Sequence, residues 1–255
     1  MENEQDKTSV SETVQKTVSI SDFKIDYILY MVFVTFLKNP IVFLGLTLLI
    51  GALVEIVEYG LRFMITEIGA RAFNFLQMFV SMLFRQWIGG AIAYGVYQSL
   101  KGKGASFGAS LSHGMRHLAP LVCVGFLESL GVFLGALLLA VPGLILMFMW
   151  FVAIPACVVE RLGPVDSMSR SAKLTKGCRL KILGIFMIMM IFALVCNRIT
   201  PFFIPDVGPR TYFVLLGLFN SIPFAFINIM PAVIYFELRS IREGVAVQNL
   251  ANVFD

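Results

Sequence analysis

From residue 27 onward the chain alternates long apolar runs with short charged connectors, and this alternation limits the fold more than any other feature. A helix needs about 20 residues to cross roughly 30 Å of hydrocarbon. Runs near or above that size lie at about 40–58, 73–98, 119–140, 143–160, 181–198 and 212–238. Only Val141, Pro142 and Gly143 separate the third from the fourth, so those two form a tight hairpin. Residues are 58% hydrophobic and 14% charged, against about 45–50% and about 25% in soluble domains. The expected fold class is an all-α integral membrane protein: six transmembrane helices over residues 23–243, arranged as three hairpins.

The ends differ from this body. Residues 1–22 are polar and lack the basic start and apolar core of a secretory signal. They are expected to form a disordered cytoplasmic tail, with a second cytoplasmic tail at 244–255. Lys and Arg flanking the spans are retained in the cytoplasm. With the N-terminus inside, fifteen basic residues fall on inner segments and four on outer ones: Arg62, Arg71, Arg198 and Arg210. Both termini are therefore expected inside.

A parallel internal repeat runs through the spans. Pro40 and Gly45 have the same separation as Pro120 and Gly125, and Gly184 follows Arg179 at that separation too. The endings "AIPACVVERLG" and "IMPAVIYFELRSIREG" also rhyme, making Glu160 and Glu237 nearly equivalent. Three units result, each an interfacial helix followed by a two-span hairpin. Units with an even number of spans keep one orientation, which gives a pseudo-threefold parallel arrangement rather than an inverted repeat.

The interfacial helices are expected at about 22–38, 104–117 and 164–176. In the third, Pro164 suits the first helical position and Gly177 a stop. Val165, Met168, Ala172 and Thr175 recur at helical spacing, with Ser169 filling the stripe. Arg170, Lys173, Lys176 and Arg179 form a basic set. They are candidates for anionic lipid headgroups, although retention of positive charge on the inner side already accounts for them.

Ionisable residues inside spans cost about 2.5–3.5 kcal/mol even on lenient scales. Glu55, Arg85 and Glu128 qualify, as a charge network that fixes packing or lines a polar path. Glu160, Glu237 and Arg239 sit at inner helix ends, where pairing with Arg170 or Lys173 would clamp the third interfacial helix onto the bundle. His113 and His117 have the i, i+4 spacing of a metal pair, but the segment lacks the glutamate of the metalloprotease motif, and no third ligand is evident beyond Cys123. Headgroup-level histidines are the favoured reading, with no metal and no cofactor expected. Cys123, Cys157, Cys178 and Cys196 show no CxxC spacing and read as small apolar residues. Gly131 with Gly135, Ala91 with Gly95, and Gly217 with Ser221 allow close helix approach. Pro155, Pro223 and Pro231 predict kinks.

The segment "VPGLILMFMWFVAIPACVVERLGPVDSMSRSAKLTKGCRLKILGIF", with the later "YFELRSIREG", resembles the YciC-like proteins and the membrane domain attached to some glycerophosphodiester phosphodiesterases. The shared pattern is a PG turn, an apolar span, an acid with a glycine soon after, a Ser-rich basic helix ending in "TKG", and another span. The resemblance covers residues 119–245 and, loosely, the first half. It implies a bacterial inner-membrane protein of about six helices and no catalysis, because the phosphodiesterase activity belongs to a separate soluble domain.

No Walker A loop, GxSxG or HExxH is present. The expected function is non-enzymatic: a cavity, conduit or scaffold for a lipid-like or small amphiphilic molecule. The alternative is an intramembrane enzyme acting on lipid headgroups through Glu55, Glu128 or the histidines. The partners expected are membrane lipids, with a second copy or another membrane protein as further candidates, and no nucleic acid.

Overall fold

The computed structural model describes residues 23–64, 70–203 and 209–243. The two tails expected at 1–22 and 244–255 lie outside the described residues. Among the described residues ten helices follow one another: α1 (Ile25–Lys38), α2 (Pro40–Met64), α3 (Ala70–Leu100), α4 (Phe107–Arg116), α5 (Leu118–Leu138), α6 (Ala140–Met149), α7 (Ala153–Glu160), α8 (Pro164–Thr175), α9 (Arg179–Phe203) and α10 (Pro209–Glu243). No strand occurs among the described residues.

Five stretches are long and apolar enough to cross a bilayer: Pro40–Val57, Leu118–Leu138, Ala140–Glu160, Arg179–Phe202 and Leu215–Glu243. The sixth expected span, 73–98, falls in α3, which at 31 residues has ample length. Gln77, Ser81, Arg85 and Gln86 dilute its apolar character, and α3 is not among the five. α3 packs against α2, α4, α5, α7 and α10, with Ala91, Ile92 and Val96 fully buried. Of the four polar residues only Gln86 is buried, and Arg85 is exposed.

α10 is the second central element and touches α1, α2, α3, α7, α8 and α9. Ala225, Ile229, Met230, Ile234, Tyr235 and Leu238 are sealed in its core-facing side. α1 lies along it with its start beside the end of α10, and its Phe36 ring packs 4.6 Å from that of Phe226. The inner face of α1 (Ile28, Val32, Thr35, Phe36) is thus fixed by protein contacts rather than by a membrane surface.

The tight turn expected at 141–143 begins one step earlier. Leu139 is extended and ends α5, and Val141–Gly143 form the first turn of α6. Glycines permit the approach of the two helices. A Cβ on Gly135 would stand 3.1 Å from the Gly143 backbone, and one on Gly131 would overlap the Trp150 ring. Close approach holds also at Gly95, against Ser110 and Phe43, but at Gly217 no atom lies within 4 Å.

The span Ala140–Glu160 is broken at Trp150–Val152. Pro155 lacks an N–H, and its ring excludes the carbonyl four residues earlier from helical geometry, so the helix stops one turn before it. Pro223 and Pro231 leave α10 continuous. The break exposes backbone groups that need partners in an apolar setting. α8 supplies them: Ser171 Oγ donates to the Met149 carbonyl at 2.9 Å and accepts from the Val152 N–H at 3.2 Å. Thr175 Oγ1 donates to the same carbonyl at 3.1 Å.

This corrects the expected orientation of α8. Pro164 does occupy its first turn, and Gly177, at φ +83°, follows its end. The buried side is Ser167, Ser171, Leu174 and Thr175; Thr175 belongs to the expected stripe and Met168 of that stripe packs on the core, while Val165 is 69% exposed. Hydrogen bonding to the broken span outweighs burial of the apolar residues.

Candidate functional site

Polar side chains gather where α7 ends, α8 crosses and α10 finishes. Arg161 adopts a left-handed conformation after Glu160 and turns the chain toward α8. Arg170 on α8 then donates through Nε to both Glu160 oxygens, at 3.0 and 3.1 Å, and through its Nη2 to Glu243. Tyr235, fully buried on α10, donates its hydroxyl to Glu160 at 2.6 Å. Arg239, one turn on, donates to the Tyr235 oxygen at 3.3 Å and to Glu243 at 2.8 Å. Its guanidinium lies 3.8 Å from Glu160. Burial alone would lower the pKa of Arg170, yet the bonds and charges of Glu243 and Glu160 hold it above the ordinary arginine value. Arg242 completes the junction by donating to the Leu174 carbonyl at 2.8 Å and to the Lys176 carbonyl, capping the end of α8.

This cluster changes the assignments made on sequence. Arg170, expected among the lipid-binding cations, is committed to two carboxylates, whereas Lys173 and Lys176 are exposed. The Nε of Arg179 is buried without a hydrogen-bond partner. The clamp between Glu160 and Arg170 exists, and Arg239 belongs to it. Glu237 does not. Two residues beyond Tyr235, it lies about 200° further round α10 and lines a different feature.

That feature is an open cleft of about 720 Å³ between the start of α1 and the end of α10. Its walls are Lys24, Asp26, Tyr27, Tyr30 and Glu237. Neither Lys24 nor Glu237 has an ion-pair partner among the described residues. Burial first, then the charge of Glu237, holds the Tyr27 phenol protonated above its usual range. Nearby, Lys181 Nζ donates to the Phe23 carbonyl at 3.0 Å and ties α9 to the entry of α1.

The three intramembrane charges do not converge as one group. Arg85 is within electrostatic reach of Glu128 across the α3–α5 contact. Glu55 is exposed on α2, with no ion pair among the described residues. His113 and His117 stack on each other at 4.3 Å, and His113 stacks on Tyr94 at 4.0 Å. Burial first and the neighbouring His117 second lower the His113 pKa to about 4. No group of three potential metal ligands occurs among the described residues. Cys157 and Cys178 are buried, whereas Cys123 is exposed.

Sequence reasoning missed Tyr235 and Glu243 in the clamp, Ser171 and Thr175 at the break, and Lys24, Asp26, Tyr27 and Tyr30 in the cleft. One signal was present: Tyr235, Arg239 and Glu243 recur at i, i+4 and i+8 on one helical face.

No family model, curated protein or solved structure matches the chain. Its class follows from its own helices: five of membrane-spanning length and apolarity mark a multi-pass membrane protein.

Proposed function

We propose that this chain is a non-enzymatic inner-membrane protein that handles a lipid-like amphiphile at its cytoplasmic side, built like the YciC-like proteins it resembles. In this reading α3 is the sixth span, and the long helices pair as α2–α3, α5 with α6–α7, and α9–α10. Each pair follows a short helix, α1, α4 or α8, as the proposed repeat requires. Both termini are cytoplasmic, which puts the clamp and the cleft at the cytoplasmic end.

The observation that carries the reading is the cleft. It joins charged and aromatic walls to an outer surface that is otherwise apolar along α1, where Tyr30, Phe33 and Leu37 are exposed. An amphiphile needs that pairing of polar and apolar surface. The enzymatic alternative has one observation in its favour, the Arg85–Glu128 proximity. It lacks a third converging group, because Glu55 is exposed on α2 and the histidines stack on each other and on Tyr94.

The test is native mass spectrometry of the protein extracted with its own lipid. A defined number of retained lipids, lost when Tyr30 and Glu237 are both replaced by Ala, is the expected result. Release of every lipid in mild detergent would overturn the reading. The proposed topology fails if a reporter fused at residue 255 is active only outside the cytoplasm.

A further inference from the structure

The cleft's chemistry is more selective than an amphiphile site requires. It contains one cation, Lys24, and two anions, Asp26 and Glu237, with the rings of Tyr27 and Tyr30 between the polar rim and the outer face of α1. The basic residues expected to attract anionic lipid are elsewhere: Arg170 is bonded to Glu160 and Glu243, and Lys173, Lys176 and Arg179 do not line the cleft. An anionic headgroup in the cleft would meet two carboxylates for each ammonium, an unfavourable balance. A ligand carrying both a phosphate and a primary ammonium would give Lys24 an anion and the two carboxylates a shared cation.

We infer that the cleft holds the headgroup of a zwitterionic aminophospholipid of the phosphatidylethanolamine class. The inference deepens the proposed function and rests on it. The phosphate faces Lys24, and the ammonium donates toward Glu237 and Asp26. Tyrosine faces nearby add attraction for the cation. The source is a membrane lipid rather than a soluble phosphoamine because the polar walls continue directly into an apolar face. Tyr30, Phe33 and Leu37 recur on one side of α1 at 61%, 51% and 55% exposure and offer a track for an acyl chain. The buried opposite face of α1 leaves that track outward by helical geometry.

The test uses delipidated full-length protein titrated with phosphatidylethanolamine, phosphatidylglycerol and phosphatidylcholine of identical acyl chains, read by native mass spectrometry. The ethanolamine lipid is expected to bind at least about tenfold more tightly than the other two, the scale of one charge-assisted hydrogen bond. Glu237→Gln and, separately, Asp26→Asn should erase most of that preference, and Lys24→Gln should weaken ethanolamine-lipid binding. Unchanged melting temperatures would show that each variant folds. Equal affinity for the glycerol or choline lipid overturns the headgroup assignment and leaves the broader reading standing, as does a preference that survives both carboxylate variants. Soluble phosphoethanolamine binding as tightly as the lipid overturns the acyl track. Failure to retain any of the three lipids overturns both the assignment and the proposed function.

Discussion

On one face of the last turns of α10, Tyr235, Arg239 and Glu243 each meet partners from α7 or α8, or one another. On the opposite face, Glu237 lines a cleft beside Tyr27 and Tyr30. The residues are neighbours in sequence and similar in kind, yet among the described residues one face is saturated and the other open. Partner supply accounts for the difference. α8 brings an arginine whose planar fork reaches two carboxylates at once, whereas α1 brings one exposed lysine and an acid. Charge therefore closes the bundle on one side and remains available for a ligand on the other.

The harshest way to break this comparison is Arg170→Ala. It leaves Glu160 and Glu243 with fewer partners in a largely desolvated junction and is expected to cost about 3 kcal/mol, after allowance for partial exposure. Thermal unfolding in detergent measures it, and a loss below about 1 kcal/mol would make the two faces energetically alike. Ser171→Ala acts one layer deeper, since it deprives the Val152 N–H of its acceptor and the Met149 carbonyl of one donor. About 1–2 kcal/mol should go, and proteolysis should become faster at 150–152.

Tyr235→Phe and Tyr27→Phe form a matched pair across α10. The first removes a buried 2.6 Å bond to Glu160 and should cost about 1 kcal/mol, while the second should leave the melting temperature unchanged. Equal losses would erase the contrast.

Acid gives a smaller test from outside both faces. The folded pKa of His113 is about 4, below its ordinary 6.5, so the unfolded chain takes up the proton first. Its contribution to stability is complete above pH 6.5 and falls as the pH drops toward 4. His113→Gln should flatten that part of the stability–pH curve without altering the clamp. The smallest effect on stability belongs to the double variant Lys173→Gln, Lys176→Gln. Both residues are exposed, so folding should change by less than about 0.5 kcal/mol. Attraction to anionic vesicles should still fall by about 1 kcal/mol per residue.

The contrast also marks what the residues could announce in advance. Five of the six expected spans are legible because roughly 20 apolar residues in a row are hard to place anywhere but in lipid. The bounds of α8 were legible from Pro164 and Gly177, since each removes a backbone option locally, whereas Pro155 announced only a kink and the same reading at Pro223 and Pro231 met a continuous helix. The inward face of α8 was not legible. Ser171 looks like a solvent-facing residue until a broken helix elsewhere offers it unpaired groups. Arg170 could be placed at the clamp or at a headgroup with equal ease, because a basic residue's partner depends on which acid the fold brings within reach. The apparent equivalence of Glu160 and Glu237 misled for the same reason: similar flanking residues said nothing of which helix would pack beside each.

The divided span has a consequence for the order in which the protein is assembled. α6 and α7 contain 10 and 8 residues, about 15 and 12 Å of helix, and neither alone crosses a bilayer. The hydroxyls that satisfy the break come from residues 22 and 26 positions after Met149. When this span has just left the ribosome, its partners have yet to emerge. The nascent chain must hold an unfinished helix until α8 emerges, so the growing protein passes a checkpoint at Thr175: a chain that stops short of it has entered the membrane without the means to settle there.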